Sequence, residues 1–456
     1  MPPILSRSDP HRHIGRTGRC RALRLRWRYI GRRISNFTAG GRWTDRLLPQ
    51  VRKNLRWFWF DGVLAQASES IVVAYLSLFI LALGATRSQI GLMNSLSSLS
   101  GALLLLPGAA LAGRSGRRKL IVVLSGGGIG RLMLLLLALT PLLPTHAPLV
   151  YIAIALTVVR SAFGNLGHPA WMSLTADIVP IKWRGRYFSS RNIAMGITGM
   201  VVTYLIGQLI TRLGAPIGYQ WALGIAFAVG MLSTFCFAQI GEGNPAPYRP
   251  ASAKRTPLSA LRDHPEFMTF CATAALWNFS LNIAGPFFSV YLVEELKATA
   301  SIVGTLSVIS SLAGLPGQRL FGILSDRWGP RKVQMLTGMC IPLIPLAWSL
   351  TSAPWHAAPL NLAGGFLWAG YNLASFNFLL TLIPEERRPH YSALYQIVVM
   401  LALTGGAAFG GFLAEQWGYK IAFVTSGIGR LTAALLFMRF VRQPAVSGDV
   451  QSPDVI

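Results

Sequence analysis

The sequence predicts an all-α integral membrane protein with twelve transmembrane helices arranged as two parallel six-helix repeats. Three observations carry this expectation. The 456 residues are 52% hydrophobic, with a mean hydropathy of +0.47, and only 13% are charged, whereas soluble domains carry about 25% charged residues. Long uncharged stretches recur from Phe58 to Phe440. The second half of the chain also repeats polar and glycine positions of the first.

A helix needs about 20 mostly apolar residues to cross a bilayer. Such runs occupy residues 57–84, 88–112, 119–141, 148–178, 187–211, 218–240, 267–293, 299–323, 332–352, 359–383, 390–415 and 419–441. They divide the chain into a basic N-terminal tail (1–56), a six-helix bundle (57–240), a proline-rich cytoplasmic linker (241–266), a second six-helix bundle (267–441) and a C-terminal tail (442–456). Fifteen Arg or Lys residues and two acids give the first tail a net +13, half of the formal charge of +26. With no sustained apolar period it cannot bury enough surface to fold alone. Its readings are a contact with anionic lipid or nucleic acid, an Arg-rich transit segment, or a functionless leader from an upstream start codon. Nucleic acid is not expected as a partner of the membrane body. Four scattered cysteines, Cys20, Cys236, Cys271 and Cys340, exclude a disulfide framework or a zinc ribbon.

Cytoplasmic loops retain an excess of Lys and Arg. One set of connections carries sixteen, including Arg114, Arg117, Arg118, Lys119, Lys182, Arg184, Arg186, Arg327, Arg331, Lys332, Arg387 and Arg388, while the opposite set carries four: Arg87, Arg212, Lys297 and Lys420. Both termini are therefore expected in the cytoplasm, with the protein a multi-pass monomer of the plasma membrane, the inner membrane in a bacterium.

The repeat is legible without reference to hydropathy. A shift of 213 residues lays 83–119 on 296–332 without a gap, matching Ala85 to Ala298, Gly91 to Gly304, Ser97 to Ser310, Ser98 to Ser311, Gly101 to Gly314, Arg114 to Arg327, Gly116 to Gly329 and Lys119 to Lys332. A second register of 204 residues lays Pro180, Arg184 and Tyr187 on Pro384, Arg388 and Tyr391. Six spans per copy means that both copies enter the membrane in the same direction, one of the transporter architectures.

The segment Gly322-Ile-Leu324-Ser-Asp326-Arg327-Trp-Gly329-Pro-Arg331-Lys332 resembles the Gly-x-Leu-x-Asp-Arg-x-Gly-x-Arg-Lys loop of the major facilitator superfamily. Its first-half copy is Ala109-Ala-Leu111-Ala-Gly113-Arg114-Ser-Gly116-Arg117-Arg118-Lys119. The resemblance implies a transporter fold in which Asp326, Arg327, Gly329, Arg331, Lys332, Arg114, Gly116 and Arg117 latch the halves in one access state. Gly113 stands where the first-half acid belongs, so Asp326 would serve alone; the rival role of the basic residues is to set topology. Arg160-Ser-Ala-Phe-Gly164 resembles the Arg-x-x-Gln-Gly element of proton-coupled members, with Phe163 in place of Gln. Span five lacks the Gly-Pro pair typical of drug antiporters, which weighs against efflux.

Ionisable groups inside a membrane are costly and mark function or structural pairing. Glu69 and His168 each lie about 18 Å inside their spans at about 1.5 Å per residue. In the two registers they fall on Asn282 and Asn372. Spans one, four, seven and ten thus carry pseudo-symmetric polar groups, and the resemblance implies that these spans line a central cavity. Glu69, His168, Asn278, Asn282, Trp368, Tyr371 and Asn372 are the candidate substrate residues, with Glu69, His168 and Arg160 as candidate coupling groups. Interhelical hydrogen bonding is the structural alternative for the polar residues, and packing is the alternative for Trp277, Trp368 and Tyr371. Asp61 and Asp177 are assigned to cytoplasmic span ends, where they snorkel or pair with a loop arginine. Arg131, Arg160, Arg319 and Arg430 are deep, so either one arginine claims Glu69 or an excess-positive cavity receives an organic anion.

These features predict a secondary active transporter of a small organic solute, working by alternating access, with protons as candidate coupling ions. The alternatives are a facilitator of organic anions and a non-transporting receptor or assembly protein. No His-Glu-x-x-His or Gly-x-x-x-x-Gly-Lys-Ser/Thr element occurs, so neither an enzyme, a metal nor a cofactor is expected. The Gly126, Gly127, Gly128 and Gly130 cluster reads as close helix packing.

Overall fold

A computed structural model of the protein describes residues 47–144, 148–241, 265–382 and 388–441. The N-terminal tail before 47, most of the expected linker and the C-terminal tail lie outside the described residues. Twelve helical elements follow in order: α1 (Pro49–Ala82), α2 (Arg87–Ser115), α3 (Arg118–Leu142), α4 (Leu149–Ile178), α5 (Arg184–Leu213), α6 (Ile217–Ala238), α7 (Pro265–Glu294), α8 (Ala300–Trp328), α9 (Pro330–Cys340 with Leu343–Trp348), α10 (Ala357–Leu382), α11 (Arg388–Trp417) and α12 (Tyr419–Phe440). Ten helices are long and apolar enough to cross a membrane by length and composition. The other two are α9, split at Ile341 and Pro342, and α10, whose 26 residues include Asn361, Asn372 and Asn377. A side of α5 bearing Ile193, Ile197, Val201, Tyr204 and Leu205 is left exposed, as a lipid-facing surface requires.

The repeat sequence recurs as repeat geometry. Thr86 caps α2 by accepting from the Gln89 amide, with Gln89 completing a capping box, and its counterpart Thr299 caps α8 through the Ile302 amide. Gly116 and Gly329 follow the same two helices at φ +61° and +83°. Only glycine enters that region without a Cβ penalty. Gly91 and Gly304 mark the two seams between the halves. A Cβ on Gly91 would lie 2.6 Å from Gly411 Cα on α11, and one on Gly304 would lie 3.0 Å from Thr203 O on α5.

The core is shared by the halves at one end and divided at the other. Tyr75, Phe79 and Tyr219 of the first half join Phe287, Tyr291, Tyr419 and Phe423 of the second in one buried cluster. Toward the opposite end, Leu55, Phe58, Tyr187 and Phe237 form a cluster within the first half. Phe267, Phe270, Phe378 and Phe437 form another within the second.

Polar links reinforce the shared end. Arg87 Nη2 reaches Glu294 Oε1 at 2.8 Å and Glu295 Oε1 at 3.0 Å, and its guanidinium lies 4.2 Å from the Tyr419 ring centroid. The Tyr419 hydroxyl bonds Glu294, the Ser88 amide donates to Glu415 at 3.1 Å, and Gln208 donates to Ser301 at 2.6 Å.

At the other end, basic residues are engaged within their own halves. Arg118 pairs with Asp177 at 2.8 Å, matching the expected role of that acid. Lys119 donates to the carbonyls of Ala238 and Ile240 at 3.2 and 3.0 Å, while Arg331 donates to those of Val441 and Met438 at 2.8 and 3.1 Å. Each half thus uses a cation after its second helix to satisfy the open carbonyls ending its sixth. Asp326 and Arg327 are exposed, and Asp326 has no ion pair among the described residues.

Candidate functional site

A concavity of about 740 Å³ lies inside the first half, within the range of about 300–1,000 Å³ usual for small-molecule sites. Its wall comes from α1, α3, α4, α5 and α6. A π-helical segment, Val123–Ile129, shapes one side. Ser125, Gly126, Gly127 and Gly128 lie within that wider turn, so backbone replaces side chains along the wall. The Thr234 hydroxyl of α6 donates to Gly127 O at 3.0 Å, and a Cβ on Gly126 would meet Gly164 Cα of α4 at 3.6 Å. The glycine cluster therefore does more than permit close packing: it gives the cavity room, as π turns at functional positions do.

Five charged side chains converge on this space. Glu69 of α1 is bonded by Arg160 of α4, and Arg131 Nη1 of α3 stands 3.8 Å from the same carboxylate oxygen. Arg131 also donates to the Ser68 hydroxyl at 2.8 Å, which in turn donates to Ala226 O at 2.7 Å. Two turns earlier on α1, Asp61 accepts from the Ser233 hydroxyl at 2.7 Å and lies 3.8 Å from Arg191 Nη2 of α5. Arg191 donates through Nε to Phe58 O at 3.2 Å and sits 4.4 Å from that ring's centroid. Asp61 and Arg191 are buried, at 6% and 5% exposure. The Glu69 side chain is 45% exposed, toward the cavity that it lines.

These positions correct the sequence assignment of Asp61. Asp61 is buried and its cation, Arg191, comes from helix α5 rather than from a loop. Arg191 is inconspicuous in the sequence because it follows the basic 181–186 segment by about one turn. The available signal was the eight-residue spacing of Asp61 and Glu69, which returns both to one helix face.

The expected constellation is only partly assembled. Glu69, Arg160 and His168 share the first-half cavity, with His168 stacked 6.0 Å from Trp171. The second-half candidates are not in its wall. Asn282 donates to Leu403 O of α11 at 2.7 Å, and Asn278 donates to Ala274 O of its own helix at 2.8 Å. Tyr371 stacks on buried Trp277 at 4.5 Å with Trp368 edge-on at 5.5 Å, beside a void of about 20 Å³ that holds about one water. Asn372 is exposed on α10. Four pseudo-symmetric polar residues thus do not line one space: the structure gives Asn282 and the aromatic residues partners within the second half. Buried Arg430 donates to Leu281 O at 3.2 Å, so a carbonyl is its partner, and Arg319 is exposed.

The described residues contain no cluster of three or more His, Cys, Asp or Glu able to hold a metal ion. Three arginines around two carboxylates form a charge network along the cavity wall.

Comparison with known proteins agrees with this architecture. The chain is 24% identical over 408 residues to the multidrug resistance protein MdtG of Proteus mirabilis, covering 86% of this chain and 94% of the relative. It is 23% identical over 391 residues to the multi-drug resistance efflux pump PmrA of Streptococcus pneumoniae, covering 83% and 93%. Its fold is similar to that of an inward-facing, occupied bacterial homologue of the human lysosomal transporter Spinster, with TM-score 0.67, 16% identity and coverage of 85% and 96%. The nucleoside transporter NupG gives TM-score 0.63 at 13% identity, with coverage of 84% and 98%. The Major Facilitator Superfamily model matches residues 58–283 and 270–454, and the chain belongs to that family of membrane transporters.

Proposed function

We propose that the protein is a proton-coupled secondary transporter of small organic solutes, with the first-half cavity as its solute site and Glu69 as its coupling group. One observation carries the reading: a cavity-facing carboxylate in the middle of α1 is held by arginines from two other helices. Proton uptake on Glu69 removes its negative charge and frees Arg160 and Arg131 from their shared partner. Their new positions change the packing of α1 against α3 and α4, which biases the two access states. Arg87 belongs to the connections poor in basic residues, so the clasped end faces outward and the other end faces the cytoplasm, with both termini on that side.

The sign of coupling follows from solute charge. A cation competes with the proton for Glu69 and gives antiport. An anion competes with Glu69 for the arginines and binds best when Glu69 is protonated, giving symport. The name of one relative, a multi-drug resistance efflux pump, supports the export direction. In proteoliposomes, Glu69→Gln should retain solute exchange and lose accumulation driven by a pH difference. Full pH-driven accumulation by the folded variant would remove Glu69 from coupling and direct the same test to His168→Asn.

A further inference from the structure

Charge does not balance among the side chains lining the first-half cavity. Asp61 and Glu69 are its acids, and Arg131, Arg160 and Arg191 are its fixed cations. Arg160 bonds Glu69 directly, while Arg191 is the cation beside Asp61. Arg131 is the remaining cation: its carboxylate neighbour is 3.8 Å away and already bonded by Arg160. The Ser68 hydroxyl accepts from one Arg131 nitrogen, yet a guanidinium has five N–H donors. A cation within a membrane needs a compensating partner.

We infer that the cavity binds an amphipathic organic anion, with its carboxylate on Arg131 and its ring or apolar body against His168, Trp171 and the glycine wall of α3. This rests on the reading of the cavity as the transport site. Geometry disfavours a cation. The only acid well exposed to the space is Glu69, and a cation would have to displace two arginines from it. Asp61 lies behind it, buried and bonded to Ser233. An anion at Arg131 competes only with a carboxylate oxygen 3.8 Å away, leaves the Arg160–Glu69 bond in place and adds a charge-assisted hydrogen bond. Stacked His168 and Trp171, with Trp171 tilted 6.1 Å from Phe58, offer an aromatic surface. Gly126, Gly127 and Gly130 line the cavity without side chains of their own.

Glu69 is faced by Arg131 of α3, Arg160 and His168 of α4, and more distantly by Arg191 of α5, with Asp61 on its own helix. Protonating Glu69 leaves these cations with one fewer protein anion. Proton and organic anion therefore assist one another in binding, a reciprocal linkage that corresponds to symport.

Three probes with one ring system test the inference on the purified full chain: 1-naphthoate, 1-naphthylmethylammonium and 1-naphthalenemethanol. Thermal stabilisation should rank the anion first. Arg131→Gln should weaken naphthoate binding about tenfold or more, with Arg131→Lys recovering part of it. Tighter binding of the ammonium probe, equal stabilisation by chloride alone, or undiminished naphthoate binding by folded Arg131→Gln would overturn the assignment. If Arg131→Gln does not fold, the ranking of the three probes on the unsubstituted protein decides. Glu69→Gln separates this inference from the coupling reading. Naphthoate preference retained together with pH-driven accumulation would sink the coupling role alone, whereas preference for the ammonium probe would sink the anion site alone.

Discussion

Asp61 and Arg191 form the more enclosed of the two ion pairs on α1, and enclosure sets what each pair does. The Glu69 side chain is 45% exposed toward the cavity, a cushion that should make Glu69→Gln less costly than loss of a partner from the enclosed pair. Asp61 and Arg191 have no such cushion: removal of one partner leaves a buried charge, at a cost of about 3–5 kcal/mol. Arg191→Gln should therefore lower stability by that amount in thermal or denaturant unfolding in detergent. The double variant Asp61→Asn, Arg191→Gln should recover more than half of the loss. No recovery would show that Arg191 acts through its bond to Phe58 O and its place over that ring, rather than through Asp61.

Helix α3 shows how an element can carry function through its backbone. Its π segment aligns the glycines with the cavity and presents the Gly127 carbonyl to Thr234. A Cβ at Gly127 would lie 2.7 Å from Thr234 Cγ2, whereas one at Gly164 on α4 would meet nothing within 4 Å. Gly127→Ala should cost about 1–3 kcal/mol through overpacking, while Gly164→Ala should leave stability within about 0.5 kcal/mol and alter solute affinity by shrinking the cavity. Unfolding midpoints and ligand titrations on the two variants check the contrast. Equal stability of both would mean that α6 moves freely enough to release Thr234.

At the scale of the whole molecule, the two halves are joined at one end by contacts built on Arg87, which in the proposed cycle would hold one access state. Its side chain is 25% exposed, and ion pairs of that kind contribute about 0.2–1 kcal/mol each. Arg87→Ala should consequently shift the access equilibrium a few-fold, reported by faster labelling of a cysteine placed at Gln208. Gly91→Leu should produce a larger shift of the same sign, because α2 would have to separate from Gly411. Unchanged labelling in both variants would remove the clasp as a determinant of state. Asp326, exposed and unengaged at the opposite end, can act as a latch only where that end closes. Asp326→Asn should thus slow labelling at position 208 without changing stability; faster labelling would refute the latch.

The sequence by itself determined the membrane solvent, the twelve helical elements and the repeat. Hydropathy reports burial in lipid over about 20 residues at a time, and Gly116, Gly329, Thr86 and Thr299 fix local backbone geometry wherever the chain goes. It also marked Glu69, Arg160 and His168, because a polar group in an apolar run is costly enough to be conspicuous. Backbone breaks in α7 and α9 were hidden, since hydropathy does not register a 3₁₀ turn at Gly285–Phe287 or the split at Pro342. Only tertiary structure decided which polar groups share a cavity. Asn282 was indistinguishable from Glu69 by register, yet its partner is the carbonyl of Leu403, 121 residues away. Asp61 looked like a span end until Arg191 and Ser233 arrived from α5 and α6. The physical reason is that membrane insertion depends on the average transfer energy of a segment, while a site depends on the few ångströms between side chains on different helices.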